Sequence, residues 1–135
     1  MRRGKNKHKP LAKTFEFDSI NMDLISGLPG DNMEKFRKTV AEIIALDPDN
    51  ITLHTLTVKH GANLAPMAQS VFAATADAMN EYAYGEFAKA GYFPYYLYRQ
   101  KGTVDNLENV GFCKSGKEGI YNIFIMDETH TILSA

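Results

Sequence analysis

The chain has 135 residues, enough for one compact domain, and 44% of them are hydrophobic, which supports a core and argues against wholesale disorder. Its one cysteine, Cys113, excludes an internal disulfide and any multi-cysteine metal site built from this sequence alone, and makes a reducing cytoplasm the default expectation. Net charge is -1, no apolar run is long enough to cross a bilayer, and no internal repeat is present.

The charge is unevenly spread. Residues 1–13 hold Arg2, Arg3, Lys5, Lys7, Lys9 and Lys13, with no acid. The remainder has nine bases against 16 acids. No apolar segment follows the basic residues, so they are not a secretory signal. Residues 1–17 read as a solvated, disordered head, with an anion-binding arm as the functional alternative. The acidic remainder offers no matching basic face, which counts against nucleic acid as a partner.

Residues 19–26 (SINMDLIS) alternate, which predicts a strand with Ile20, Met22 and Leu24 on one face and Asn21, Asp23 and Ile25 on the other. Gly27–Gly30 is a turn. Asp31 with Glu34 approximates a capping box, and Met33, Phe36, Val40, Ile43 and Ile44 then recur at helical spacing. Pro48 disfavours a helical Asp47 and ends that helix. Residues 51–58 (ITLHTLTV) are rich in β-branched types and predict a second strand. Residues 19–58 thus form a strand–helix–strand crossover between parallel strands, the unit of α/β folds.

Pro66 suits the first turn of a long helix over residues 67–90, with Val71, Phe72, Met79, Tyr82, Ala83 and Phe87 as core contacts and Gly91 as its C-terminal cap. Residues 92–100 (YFPYYLYRQ) are strand-like. Residues 107–113 (LENVGFC) read as a short strand or a turn, residues 120–126 (IYNIFIM) as a strand, and residues 131–135 (TILSA) as the start of another. A basic beginning and an apolar end suggest a piece of a larger α/β enzyme.

In parallel α/β folds ligands bind at the C-terminal ends of strands. Asp23 lies near such an end, on the face away from the covering helices. An ionised carboxylate there is expensive to bury alone. It requires a hydrogen-bonding side chain, a cation, or a ligand amine or hydroxyl; capping of nearby backbone N–H groups is the structural alternative. Gly27-Leu28-Pro29-Gly30 matches neither a dinucleotide nor a P-loop motif, and Asp31 and Glu34 disfavour a phosphate at the next helix. His54 is an acid/base candidate or a solvent-facing histidine, and the mixed polarity of its strand gives no orientation. Lys59, His60 and Lys101 are candidates for an acidic ligand or plain solvated loop residues. Tyr95, Tyr96 and Tyr98 line an aromatic pocket or simply pack, and Cys113 reads as a small packed residue. No nucleophile triad or metal-ligand set is visible.

The stretch INMDLISGLPGDNMEKFRKTVAEIIALDPDNITLHTLTVKHGA resembles the late barrel segment of radical S-adenosylmethionine enzymes of the oxygen-independent coproporphyrinogen III oxidase family. The stretches YYLYRQKGTVDNLENVGF and EGIYNIFIMDETHTILSA resemble its bacterial coproporphyrinogen dehydrogenase-like branch, and the likeness covers residues 18–135. The resemblance implies a partial (β/α) barrel over residues 18–91, then a truncated C-terminal α+β region over residues 92–135. It implies a porphyrinogen substrate whose propionates are oxidatively decarboxylated to vinyls in haem synthesis. It also implies S-adenosylmethionine and a [4Fe–4S] cluster as cofactors, with Asp23 and Thr57 as S-adenosylmethionine contacts. The family's three-cysteine cluster motif and glycine-rich motif are absent, so the chain alone is expected to hold no cluster and to be inactive, the other barrel half coming from elsewhere. A non-catalytic porphyrin-related binding module, or a haem-chaperone-like relative, is the alternative.

Overall fold

A computed structural model describes residues 14–15, 17–56, 66–99 and 108–127; of residues 66–73, 99 and 108 it describes the backbone alone. The basic residues 1–13, Thr57, Lys59, His60, Lys101 and the segment 131–135 lie outside the described residues. The elements run β1 (Asn21–Ser26), α1 (Met33–Leu46), β2 (Asn50–Thr55), α2 (Pro66–Lys89), β3 (Phe93–Arg99), β4 (Glu108–Cys113) and α3 (Ile120–Asp127). The fold class is α/β. The four strands form one mixed sheet in the order β1-β2-β4-β3.

The expected crossover is present. Strands β1 and β2 pair in parallel, with Asp23 opposite Thr52 and Ile25 opposite His54. Strand β4 then pairs antiparallel with both β2 and β3, so β3 and β4 extend the same sheet. Leu24, Ile51, Leu53, Val110 and Phe112 meet Phe36, Val40 and Ile43 of α1 and Met79, Ala83 and Phe87 of α2 in one buried cluster. Burying a side chain of this size contributes roughly 1.5–3 kcal/mol each. The side chains of Val71 and Phe72 lie outside the described residues.

The helix ends follow local chemistry. The N-cap of α1 is Asn32, one residue later than the sequence suggests: its side chain accepts from the Lys35 N–H, while Asp31 accepts from Asn32 N–H. Asp47 is left-handed at φ 55° before Pro48, which stops the helix. Helix α2 ends in a Schellman motif. Gly91 at φ 83° donates to Ala88 O, Tyr92 N–H donates to Phe87 O, and the Phe87 and Tyr92 rings meet edge-on.

One expectation changes, and one reading left open between strand and turn resolves as a strand. Residues 120–126 are helical, not a strand. A continuous apolar run has no period to separate the two states, and here Ile123 N–H donates back to Gly119 O while Asn122 reaches the Tyr95 hydroxyl. Residues 108–113 form a full strand in the interior of the sheet.

Tyr92 joins the two ends of this layer. It is 3% exposed, and its hydroxyl donates to Pro48 O at 2.7 Å. Burial first, then the Asp47 and Asp49 carboxylates, push its phenol from 10.0 up to about 12. The folded state therefore favours the neutral phenol, and that contribution is complete below the unfolded pKa and lost as pH rises through the folded one. A shift of this size corresponds to roughly 2–3 kcal/mol. Denaturant unfolding followed across pH ~8 to ~12 is expected to show stability falling through the upper half of the range. Tyr92→Phe should flatten that fall and cost about 1–3 kcal/mol near neutrality, by leaving Pro48 O unpaired. Parallel curves for the two proteins would contradict this role.

Candidate functional site

Because α1 and α2 cover one face of the sheet, alternation sends the remaining side chains to the other face. Met22, Leu24 and Ser26 turn toward the helices; Asn21, Asp23 and Ile25 turn away, as the sequence predicts. The parallel register puts Thr52 and His54 beside them on β2. Asp23 is not buried: its side chain is 63% exposed, because no helix covers this face of β1 among the described residues. It nonetheless has partners. Asn21 Nδ2 donates to Asp23 Oδ1 at 2.9 Å, and His54 Nε2 lies 3.5 Å from the same oxygen, an ion pair when the imidazole is protonated. Both contacts fall on Oδ1.

The tyrosines divide. Tyr95 occupies a bulge in β3, where its hydroxyl accepts from Asn122 Nδ2 at 2.8 Å and burial raises its pKa. Tyr96 pairs with Gly111, and a Cβ on Gly111 would overlap the Tyr96 ring. The glycine therefore lets that ring lie flat over β4. The Tyr96 hydroxyl reaches across β4 and donates to Thr52 Oγ1 at 3.4 Å, and Thr52 Oγ1 donates to Asn21 Oδ1 at 3.2 Å. Tyr98 is exposed. Tyr95, Tyr96, Leu97, Ile123, Met126 and Asp127 line an open pocket of about 330 Å³ between β3 and α3.

Under the sheet, the C-terminal ends of the two parallel strands are locked by buried polar groups. Ser26 Oγ donates to Asn80 Oδ1 at 2.7 Å, and Asn80 Nδ2 donates to Thr55 Oγ1 at 2.9 Å. Gly27 follows at φ 78°, where a Cβ would meet Ala76 at 3.2 Å. The start of the Gly-Leu-Pro-Gly turn is thus pressed against α2, leaving Leu28 exposed at the strand end. Cys113 is buried, and burial with the nearby Glu118 pushes its thiol up to about 11, so it is a packed residue as expected. Among the described residues no group of three His, Cys, Asp or Glu side chains converges to hold a metal. No described helix is long and apolar enough to cross a membrane. Asn21 and Thr52 are the site residues that sequence reading missed, and Tyr96, expected as a pocket-lining or packing aromatic, also reaches Thr52. Only Asn21, two residues from Asp23 on the same face, carried a local signal.

Over 126 residues the chain is 41% identical to the oxygen-independent coproporphyrinogen-III oxidase-like protein HemZ of Bacillus subtilis, covering 91% of this chain and 25% of that protein. The chain belongs to the oxygen-independent coproporphyrinogen III oxidase-like family. A 42-residue stretch is 48% identical to the oxygen-independent coproporphyrinogen III oxidase of Pseudomonas aeruginosa, 31% of this chain and 9% of that protein. A 59-residue stretch is 37% identical to the same-named protein of Thermostichus vulcanus, 44% of this chain and 18% of that protein. The chain thus spans about a quarter or less of the length of these relatives. No family model matches it, and no solved structure does. The oxidase names do not favour a separate porphyrin-binding module.

Gly111→Ala is expected to cost about 1–3 kcal/mol, because the new methyl must displace the Tyr96 ring. Combined with Tyr96→Ala, the same change should be nearly free. Additive losses in that double-mutant cycle, measured by denaturant unfolding, would show that the ring does not depend on the glycine.

Proposed function

We propose that this chain is one part of a coproporphyrinogen III oxidase-like radical S-adenosylmethionine enzyme: the part that contacts S-adenosylmethionine, without the part that holds the cluster. In this reading residues 18–91 belong to a partial (β/α) barrel and residues 92–135 to the C-terminal region. The free outer edge of β1 among the described residues supports it, as does the apolar Ile25 exposed on the uncovered sheet face. The whole enzyme acts in the cytoplasm on a porphyrinogen, whose propionates are converted to vinyls during haem synthesis.

The observation that carries the reading is Asp23 on the uncovered face of a parallel strand pair, its Oδ1 held by Asn21 and His54. A carboxylate held by one oxygen keeps the other for a ligand amine or hydroxyl. That fits S-adenosylmethionine, which bears an ammonium group and ribose hydroxyls. Thr57, beyond the end of β2, is the second proposed contact. A [4Fe–4S] cluster does not fit these residues. Its ligands are thiolates, and the single thiol is buried and shifted toward its protonated form. The cluster ligands and remaining barrel strands are therefore assigned to sequence outside these 135 residues, on the same or another polypeptide.

Calorimetric titration of the 135-residue chain with S-adenosylmethionine is expected to give saturable binding. Asp23→Asn should weaken it about 10- to 100-fold, the range for losing a charge-assisted hydrogen bond. Lys38→Ala, on the outer surface of α1, should leave it unchanged. Equal affinities for Asp23→Asn and the unaltered chain would remove Asp23 from the site. Separately, anaerobic reconstitution with iron and sulfide should give no stable cluster absorbance from this chain alone; a stable absorbance would overturn the assignment of cluster ligands elsewhere.

A further inference from the structure

We infer that Tyr96, Thr52 and Asn21 form a positioning chain that crosses the sheet and fixes the Asp23 carboxylate, so that Tyr96 on β3 acts on a ligand-facing group on β1 without touching the ligand. The ligand itself rests on the S-adenosylmethionine reading above; the positioning chain does not.

The proton directions leave little freedom. Asn21 Nδ2 donates to Asp23 Oδ1 at 2.9 Å, so its amide oxygen must be the group that accepts from Thr52 Oγ1 at 3.2 Å. The Thr52 hydroxyl proton is then committed, and its oxygen is left to accept. The Tyr96 hydroxyl supplies that proton at 3.4 Å. Each group holds the next in one orientation: Tyr96 orients the threonine hydroxyl, which orients the asparagine amide, which holds one carboxylate oxygen. A lone, exposed Asn–Asp contact two residues apart along a strand would exchange freely with water. Thr52, 4% exposed, ties it to a buried part of the sheet. The chain spans all four strands because Gly111 has no side chain and lets the Tyr96 ring pass over β4. His54 approaches the same Asp23 oxygen from β2. The neighbours of Asp23 in register or on its own strand face, Asn21, Ile25 and Thr52, are neutral, so His54 is the one titratable group meeting it among the described residues.

Tyr96→Phe tests this, because it keeps the ring over Gly111 and removes the hydroxyl alone. The first readout needs no ligand: solvent exchange of the Asn21 side-chain amide protons, followed by NMR. Tyr96→Phe and Thr52→Val should each speed that exchange about 2- to 10-fold, the range given by one hydrogen bond of ordinary net strength. The double variant should be no faster than Thr52→Val. Unchanged Asn21 exchange in Tyr96→Phe would overturn the proposal, even if the variant were less stable, since a packing role moves stability and not this amide. The second readout is S-adenosylmethionine affinity. Tyr96→Phe should weaken it by a similar factor in the unaltered chain and not at all in an Asp23→Asn background. Faster Asn21 exchange with no binding in any variant would uphold the positioning chain and sink the ligand reading. Equal weakening in both backgrounds would show that Tyr96 acts on the ligand by a route other than Asp23, and would overturn the proposal.

Discussion

Strand β2 is hydrogen-bonded along both edges, to a parallel neighbour on one side and an antiparallel one on the other, and both faces of the sheet take their order from it. Its residues Ile51, Leu53 and Thr55 lie under the helices; Thr52 and His54 lie on the uncovered face. The helix side supplies the stability. Phe36, Val40, Met79 and Phe87 close over Ile51 and Leu53, and truncating a large side chain in such a cluster costs about 2–5 kcal/mol. The uncovered side carries the polar groups, with Thr52 buried and His54 partly exposed. Stability and the candidate chemistry thus sit back to back on one strand, one residue apart.

This arrangement explains how a short chain can present an ordered site. The Asp23 carboxylate is exposed, yet it sits on a rigid ladder whose far end is fixed by Ser26, Asn80 and Thr55 beneath the sheet. The near end is fixed too: Ile20 N–H donates to Asp49 Oδ2 at 2.9 Å, and Lys117 Nζ lies 3.9 Å from Asp49 Oδ1. Sites on strands hold their geometry better than sites on loops. The family relationship covers a quarter of the most extensively matched relative named here, and the one sulfur of Cys113 is committed to packing. On the proposed reading, ligand contact and cluster binding are separable, and this chain carries residues for the first.

Much of the first half was legible in the sequence. The alternation of Ile20 to Ile25 fixes which way Asp23 turns, and the apolar spacing of α1 and the glycine after α2 mark their helices. Strand β2 resisted orientation for a specific reason. Ile51 to His54 alternate, but Thr55 is polar and faces inward, where Asn80 satisfies it, and the exposed Leu56 follows, so each face mixes polar and apolar residues. The interior strand β4 was harder still. Gly111 weakens its local signal, and what the glycine does appears only when Tyr96, 15 residues earlier in sequence, lies across it. Residues 120–126 carry no period, because all of them are apolar or tyrosine apart from Asn122. The sequence shows which residues share a face along one strand; it does not show which faces meet across a sheet.

NMR mapping of S-adenosylmethionine on the labelled chain asks most directly whether the uncovered sheet face is the functional one. The expected result is a set of saturable shift changes at Asn21, Asp23, Thr52, His54 and Tyr96 and at the second proposed contact, Thr57, with the helix-side residues Phe36, Val40 and Phe87 unmoved. Changes confined to the outer surface of α1, around Lys35 and Lys38, or no changes at saturating ligand, would contradict it.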